Sequence, residues 1–317
     1  YGSKLPLAKQ KKIVCRLHRY EAFSDYPSKV IWENVDKLII VTGHLKELLE
    51  TNFSGISKKV DIVVIENGVD VDKYSFIKRE NGFNIAMVCY IHSRKNPVMA
   101  LQIIQKLVKV DKRYKLYVAG QFQEQLIKLY WEYQLKRMGI EENVIFEGWQ
   151  NDINSWLEDK NYLLSTSIHE SFGYGIAEAM ARGIKPVIHD FLYANEIWSE
   201  DLLFNTVDEA VDSIINGQYE SERYRDFIEE CYSLKKQLLK INDLFKELLS
   251  FKNLISRVQD ILSGTEKPQE LMREDITVLT PCYNRVKMLK EDLDKGLKLG
   301  NQPKLIIDDC STEETQW

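Results

Sequence analysis

The sequence predicts an α/β protein whose strands form parallel, Rossmann-like sheets. Strand-like and helix-like segments alternate along the chain, which is typical of a parallel sheet. The alternation occurs twice, with a new series of elements starting near Asn84. A polar, glycine-containing loop at residues 169–173 follows a buried strand and leads into a helix. Open α/β sheets bind ligands at this end of their strands, so the sequence also predicts where a site lies.

The composition is ordinary for a globular chain of about two domains. Of 317 residues, 44% are hydrophobic and 29% are charged, and the net charge of −5 argues against a nucleic-acid partner. No apolar run approaches the ~20 residues of a membrane span, and the first residues are not a signal peptide. The five cysteines lack C-x-x-C spacing, which favours a reducing, cytoplasmic location and argues against a zinc site.

The first series of elements covers the N-terminal part of the chain. Apolar runs predict strands at 11–17, 36–42 and 60–65, with helices at 27–33 and 44–52. His18 directly follows the first strand, at the edge of the sheet where ligand groups collect. It is therefore a candidate ligand-binding residue, and the alternative is a histidine in a surface loop.

The second series is longer and ends in a helical region. It predicts strands at 85–90, 114–120, 144–149, 162–167, 185–188 and 202–205, and helices at 98–110, 122–138, 151–157, 174–181, 194–197 and 207–216. Residues 220–262 are helical throughout by their three- and four-residue apolar spacing, and 263–268 are typical of a linker. The helical region serves as a return segment to the first domain, as a linker or as an oligomer contact.

The segment 169–183 carries the strongest functional pattern. Its loop glycine allows backbone to approach a ligand, and the following helix presents free N–H groups and a partial positive charge to a phosphate. Glu170 lies on the loop and Glu178 in the helix, with seven residues between them. A phosphate cradle flanked by two carboxylates suits a nucleotide sugar, which has phosphates in the middle and hydroxyls at both ends.

This segment resembles the Glu-(seven residues)-Glu motif of the retaining glycosyltransferases of family 4, together with the Glu-Ala-Met-Ala and Pro-Val-Ile elements in register. The resemblance implies the GT-B fold, with two Rossmann-like domains. It implies that Glu178 binds the donor ribose and that Glu170 faces the donor sugar. It also places the pyrophosphate at the segment Ser171, Phe172 and Gly173, held by backbone amides.

The loop after the strand at 85–90 resembles the family's basic loop, where an arginine and a lysine neutralise the departing diphosphate. Such cations are needed because breaking the sugar–phosphate bond builds negative charge on the leaving oxygen. Lys95 matches the family lysine, and Arg94 is the nearby arginine. The match is imperfect, because Cys89-Tyr90 replaces the usual Gly-Arg at the strand end. Within the same resemblance, His18 matches a histidine that lines the reaction site.

The resemblance also places the nucleotide base. Gly120 ends a strand that resembles the family strand ending in Ala-Gly. Gly148 and Trp149 end the next strand, where the family frames the base largely through backbone. The alternative for Trp149 is a packing residue. Likewise, His189 and Asp190 follow a strand end facing the same edge, and structural capping explains them equally well.

A second resemblance begins near the C-terminus. Residues 275–285 and 304–312 resemble the first strand and the nucleotide-binding loop of a family 2 glycosyltransferase, which has the GT-A fold. By this resemblance Asp309 contacts a base. The catalytic parts of such a domain would lie beyond residue 317, so this piece alone is not expected to be active. We expect a tandem polypeptide that extends past both ends of the sequence.

These observations predict four parts. They are an incomplete acceptor-side domain at 1–80, a nucleotide-sugar-binding domain at 81–217, a helical return segment or linker at 218–272, and the start of a family 2 domain at 273–317. No metal or cofactor is expected in the GT-B part. A divalent metal is expected only with the remainder of the family 2 domain.

The predicted activity is retaining transfer of a sugar from a UDP-, GDP- or similar nucleotide sugar to a glycan or lipid-linked acceptor, in surface polysaccharide or glycoconjugate synthesis. The alternatives are a non-catalytic nucleotide-sugar or glycan-binding scaffold and a GT-B nucleotide-sugar epimerase. A cytoplasmic location, peripheral contact with the inner face of a membrane and a homo-oligomer are all compatible with this sequence.

Overall fold

The computed structural model describes the backbone of residues 2–4, 12–263 and 276–279, and the side chains of residues 3–4 and 12–248. The chain divides into two compact units. Tyr1–Glu66 and Leu238–Trp317 form the first unit, and Asn67–Gln237 form the second. Both have the α/β architecture with parallel, Rossmann-like sheets that the sequence predicts.

The first unit contains a four-stranded parallel sheet. Its strands are β1 (Lys12–Leu17), β2 (Lys37–Ile40), β3 (Asp61–Val64) and β10 (Ile276–Leu279), in the order β10-β1-β2-β3. The helices α1 (Arg19–Ala22) and α2 (His44–Asn52) belong to the same unit. The strand β10 lies where the sequence resembles the start of a separate family 2 domain, yet here it pairs in parallel with β1. Asp309 lies outside the described residues.

Both faces of this sheet are covered by the same chain. On one face, Leu38 and Ile40 pack with Leu45 and Leu49 of α2. On the other face, Val14 and Ile39 pack with Leu244 and Leu248, which belong to the long helix α9 (Leu234–Ser263). Parallel sheets need apolar cover on both faces. The N-terminal residues cover one face, and α9, which is distant in the sequence, covers the other.

The helix predicted at residues 27–33 is wrong. The structure has two short 3₁₀ turns there, at Tyr26–Lys29 and Trp32–Asn34, separated by extended backbone at Val30 and Ile31. Branching at Cβ favours the extended conformation at these two residues. In addition, the indole of Trp32 donates to the Pro27 carbonyl at 2.8 Å, so a side chain takes an acceptor that a helix would use.

The second unit is built on a six-stranded sheet in the order β6-β5-β4-β7-β8-β9. The strands are β4 (Asn84–Ile91), β5 (Lys115–Phe122), β6 (Val144–Gly148), β7 (Tyr162–Ser165), β8 (Lys185–His189) and β9 (Leu203–Phe204), and every pairing is parallel. This is the full Rossmann order, in which the direction of strand addition reverses between β4 and β7.

Helices cover both faces of this sheet. One core joins α3 (Pro97–Val110), α4 (Gln125–Met138) and α7 (Val207–Ile215) to side chains such as Ile85 and Leu164. The other joins α6 (Tyr174–Ala181) and α8 (Ser221–Tyr232) to side chains such as Ala86 and Leu163, which alternate with the first set along their strands. The short helix α5 (Ile153–Trp156) packs at the second core.

The helical region 220–262 is broken rather than continuous. Ser233 has extended backbone (ψ 142°) and separates α8 from α9. Val69 pairs with it, because the Val69 N–H donates to the Tyr232 carbonyl and the Leu234 N–H donates to the Val69 carbonyl, both at 2.7 Å. The helix predicted at 194–197 is likewise a 3₁₀ turn, at Ala194–Glu196.

Candidate active site

The predicted donor-site loops meet at the switch point of the second sheet. The loop 92–96 follows β4, and the loop 166–173 follows β7, its neighbour in the sheet. Two hydrogen bonds join these loops: the Ile168 N–H donates to the Arg94 carbonyl at 2.9 Å, and the Thr166 hydroxyl donates to the Lys95 carbonyl at 2.7 Å. Strand order alone opens a crevice at such a point, where α/β proteins bind ligands.

Glu170 and Lys95 form an ion pair between these loops. Both side chains are largely buried, with 15% of Glu170 and 21% of Lys95 exposed. The Ser167 hydroxyl donates to the same carboxylate oxygen, Oε1, at 2.7 Å. The structure therefore brings together two residues that the sequence assigned to different substrate groups. Arg94 contributes its carbonyl to the loop contact, and its side chain is exposed.

Further titratable side chains surround this pair. The Nδ1 atom of His189 lies 3.0 Å from the Ser167 carbonyl, which can only accept, so Nδ1 carries the proton. Burial lowers the pKa of His92, and the nearby Arg94 and Lys95 lower it further. Burial raises the pKa of the Cys89 thiol to about 12. Both His92 and Cys89 are therefore neutral at pH 7.

The loop 166–173 ends in the N-terminus of α6. Gly173 has a φ of +88°, a left-handed conformation that disfavours any side chain, and the helix begins at the next residue. Phe172 is 2% exposed and packs against Tyr174, Trp198 and Tyr232, so its side chain belongs to the core. At this position only backbone groups remain for a ligand. Ser171 is half-buried beside them.

Glu178 lies one turn further along α6. Burial raises the pKa of its carboxyl, and a side-chain hydrogen bond with Tyr74 lowers it. Burial and the Glu178 charge raise the pKa of Tyr74. The phenol is therefore protonated at neutral pH and acts as the donor in this bond.

The predicted base region contains an aromatic pair. The rings of Tyr90 and Trp149 lie 5.3 Å apart between centroids, and they are 44% and 52% exposed. Trp149 is thus partly buried against Tyr90, which is compatible with both the base contact and the packing role. Gly148 precedes it with a φ of +71°. Gly120 has a packing reason for being glycine, because a Cβ there would lie 1.8 Å from the Cys89 carbonyl oxygen.

His18 belongs to the first unit, whereas the residues above belong to the second. It follows β1 and is half-buried, and the Glu21 carboxylate accepts a hydrogen bond from its backbone N–H at 2.9 Å. Burial, assisted by Arg16, lowers its pKa to about 4, so the imidazole is neutral at pH 7.

Sequence reasoning missed Ser167, His92 and Tyr74. Ser167 stands three residues before Glu170, and His92 opens the basic loop, so both had a signal in their position next to predicted residues. Tyr74 had no such signal, because it meets Glu178 only through tertiary packing.

No set of three or more His, Cys, Asp or Glu side chains within the described residues is arranged to hold a metal ion. Over the same part of the chain, no helix is both long and apolar enough to span a membrane.

The parallel Rossmann-like sheets define the fold class of the protein, which is that of the GT-B glycosyltransferases. The chain belongs to the family of glycosyl transferases group 1, whose model matches residues 70–231, just over half of the chain.

Individual relatives are more distant. A GDP-mannose:cellobiosyl-diphosphopolyprenol alpha-mannosyltransferase of Xanthomonas campestris is 25% identical over 139 residues, covering 40% of this chain and 34% of the relative. A relative of the same description from Xanthomonas oryzae pv. oryzae has the same identity and coverage. The chain thus spans about a third of the length of the curated relatives it matches.

Solved structures show the same fold at low identity. A mutant of S. aureus TarM in complex with fondaparinux, alpha-GlcNAc-glycerol and UDP has a TM-score of 0.62 and 19% identity, covering 74% of this chain and 50% of TarM. HepE of Anabaena in complex with UDP and glucose has a TM-score of 0.61 and 19% identity, covering 76% of this chain and 72% of HepE.

Proposed function

We propose that this chain binds a nucleoside diphosphate sugar in its second unit and belongs to a retaining glycosyltransferase of family 4 that transfers the sugar to a glycan or lipid-linked acceptor. The observation that carries the proposal is the meeting of Lys95 and Glu170 at the switch point, beside the helix that carries Glu178. The complex of HepE with UDP and glucose and the mannosyltransferase description of the Xanthomonas relatives support it.

Each group has a physical task in this proposal. The carboxylate of Glu178 accepts hydrogen bonds from the ribose hydroxyls, and the amides at Ser171, Phe172 and Gly173 face the pyrophosphate at the N-terminus of α6. Lys95 stabilises the charge that grows on the leaving diphosphate, with Arg94 as the second cation. Glu170 accepts hydrogen bonds from the donor sugar.

The ion pair between Lys95 and Glu170 changes partners when the donor binds. Before a donor binds, Lys95 and Glu170 neutralise each other, which lowers the cost of keeping two charges away from water. An incoming diphosphate offers Lys95 a second anion, and the sugar hydroxyls offer Glu170 new donors. In the bound state Lys95 contacts the diphosphate and Glu170 contacts the sugar, on the two sides of the sugar–phosphate bond that breaks.

The remaining assignments extend the proposal. The family resemblance is the support for a reaction-site role of His18, whose imidazole is neutral at pH 7, and for a base framed by Gly120, Gly148 and Trp149. For Asp309, which lies outside the described residues, the resemblance to family 2 is the support for a contact with a second nucleotide. A cytoplasmic location at a membrane face, with synthesis of a surface polysaccharide, follows from a lipid-linked acceptor.

The first test is donor binding. A screen of UDP- and GDP-sugars by thermal shift should find a ligand that stabilises the folded chain, by about 2.7 kcal/mol at a hundredfold its dissociation constant. Calorimetry with UDP and GDP then compares the wild type with Glu178→Ala, which should bind more weakly. Glu132→Ala, on an exposed face of α4, is the matched control. Equal affinity in wild type and Glu178→Ala would show the donor site to be wrong.

Product analysis separates the three activities. Transfer with the anomeric configuration of the donor, read by NMR, supports the proposal, and inversion contradicts retention. A changed free nucleotide sugar indicates an epimerase. The replacement of Gly-Arg by Cys89-Tyr90 favours a binding scaffold as the second candidate, which would bind the donor without turnover.

A further inference from the structure

Tyr74 lies outside the predicted site but reaches Glu178. It follows a 3₁₀ turn at Val71–Lys73, about a hundred residues before Glu178, and its ring packs against the core that contains Ile176 and Met180 of α6. A side-chain hydrogen bond joins the Tyr74 hydroxyl to the Glu178 carboxylate.

The backbone around Tyr74 is fixed to the same helix by an arginine. One guanidinium nitrogen of Arg225, on α8, donates to the Tyr74 carbonyl at 2.8 Å and to the Ala181 carbonyl at 2.7 Å. Ala181 ends α6, three residues after Glu178. The main chain at Tyr74 and the turn of helix that carries Glu178 are therefore held at a fixed separation, independently of the hydroxyl.

This arrangement restricts a carboxylate that would otherwise rotate. A glutamate side chain has several rotatable bonds, and ordering it costs conformational entropy on binding. One donor from Tyr74 occupies one of the roughly four acceptor directions of the carboxylate, which leaves room for two more donors. Two adjacent ribose hydroxyls supply that number.

We propose that Tyr74 is a positioning residue for the donor, whose hydroxyl holds the Glu178 carboxylate in the orientation that accepts the ribose 2′- and 3′-hydroxyls. The inference rests on the proposed function, because that function assigns the ribose to Glu178. It adds a residue to the site from the segment that precedes the second sheet.

The test removes one hydroxyl from the protein and two from the ligand. Tyr74→Phe keeps the ring that packs in the core and loses only the donor. By calorimetry, Tyr74→Phe should bind UDP or GDP about 3- to 10-fold more weakly than wild type, the range expected for one hydrogen bond. For the 2′,3′-dideoxy analogue of the same nucleotide, wild type and Tyr74→Phe should have equal affinity, because Glu178 then has nothing to orient.

Two further variants make the result decisive. Tyr114→Phe removes the hydroxyl of a buried tyrosine at the amino end of β5, opposite the site, and should leave both affinities unchanged. In a Glu178→Ala background, Tyr74→Phe should have no further effect, since its partner is gone. Thermal unfolding of each variant confirms that the folded state persists.

The possible failures are distinguishable. If Glu178→Ala weakens binding but Tyr74→Phe does not, the positioning role is wrong and the donor site stands. Equal weakening of ribose and dideoxy nucleotides would also overturn the role, as would tighter binding by Tyr74→Phe. If Glu178→Ala leaves the affinity unchanged, the assignment of the ribose fails, and the role of Tyr74 fails with it.

Discussion

Lys95 and Glu170 stand 75 positions apart in the sequence, yet their side chains form an ion pair at the switch point of the second sheet. β4 and β7 are neighbours in that sheet, so the loops that follow them leave the same edge side by side. The topology thus places a cation and a carboxylate together where the proposed donor sugar meets its diphosphate.

Loss of the Lys95 charge should impair transfer more than folding. Lys95→Met should lower kcat by about 100-fold or more, because it removes a group that stabilises charge built up in the transition state. Lys95→Arg, which keeps the charge, should retain more activity. Lys106→Met removes an exposed lysine that pairs with Asp208 and serves as the control. A kcat within a few-fold of wild type for Lys95→Met would contradict the role of Lys95.

Ser167 should affect sugar transfer through its hydrogen bond to Glu170. Ser167→Ala removes the hydroxyl that donates to Glu170 Oε1 and should lower kcat/KM by about 3- to 10-fold, as expected for one hydrogen bond. Ser28→Ala, in the first unit, removes a hydroxyl bonded to the Asp25 carbonyl and should leave turnover unchanged. Equal kcat/KM in Ser167→Ala and wild type would show that Glu170 does not depend on this bond.

Local signals predicted the elements better than the contacts between them. Helix formers from Tyr174 to Ala181, followed by Gly183, predicted the bounds that α6 has in the structure. The predicted helix at 27–33 is wrong because the Trp32 indole and branched residues compete with the helix, and such competition depends on packing.

In the site, too, local motifs were predicted and contacts formed by tertiary packing were not. Glu170 and Glu178 belong to one local motif and Lys95 to another, so the sequence predicted all three for one donor site. Ser167 bonds to Glu170 within the same loop, whereas Tyr74 is distant from Glu178 in the sequence and meets it only through tertiary packing. A pattern with a period of a few residues does not carry such contacts.

The buried carboxylate of Glu178 should lower the free energy of unfolding at neutral pH. Its pKa is raised by burial in the folded state, so the folded chain binds its proton more tightly than the unfolded chain does. The free energy of unfolding therefore falls as pH rises from the unfolded pKa through the folded one. Glu178→Gln should raise Tm at pH 7, and this gain should shrink as pH approaches 4. A lower Tm for Glu178→Gln at pH 7, with Glu132→Gln unchanged, would contradict this.

His18 should make the free energy of unfolding depend on pH in the opposite direction from Glu178. Burial lowers its pKa to about 4 from an unfolded value of 6.5, so between these values the unfolded chain binds more protons. The free energy of unfolding of the first unit should therefore decrease as pH falls from 6.5 to 4. His18→Gln should lessen that decrease, measured by denaturation across the range with pH 8 as the reference. Parallel curves for wild type and His18→Gln would contradict a buried, neutral His18.

Gly173 links the backbone of the loop to the proposed phosphate site. Its φ of +88° strains any side chain, and a Cβ there would lie 2.8 Å from Ile176 Cδ1. Gly139, at the end of α4, has a φ of +65° with nothing within 4 Å of such a Cβ, so it is a matched control for backbone strain. Gly173→Ala and Gly139→Ala should each lower the free energy of unfolding by about 1 to 2 kcal/mol.

Only Gly173→Ala should weaken binding of UDP or GDP, because it alone shifts the amides at the start of α6. Its affinity for the corresponding nucleoside, which lacks phosphates, should change much less. Calorimetry with nucleoside and diphosphate measures both, and equal losses for the two ligands would show that these amides do not bind the pyrophosphate.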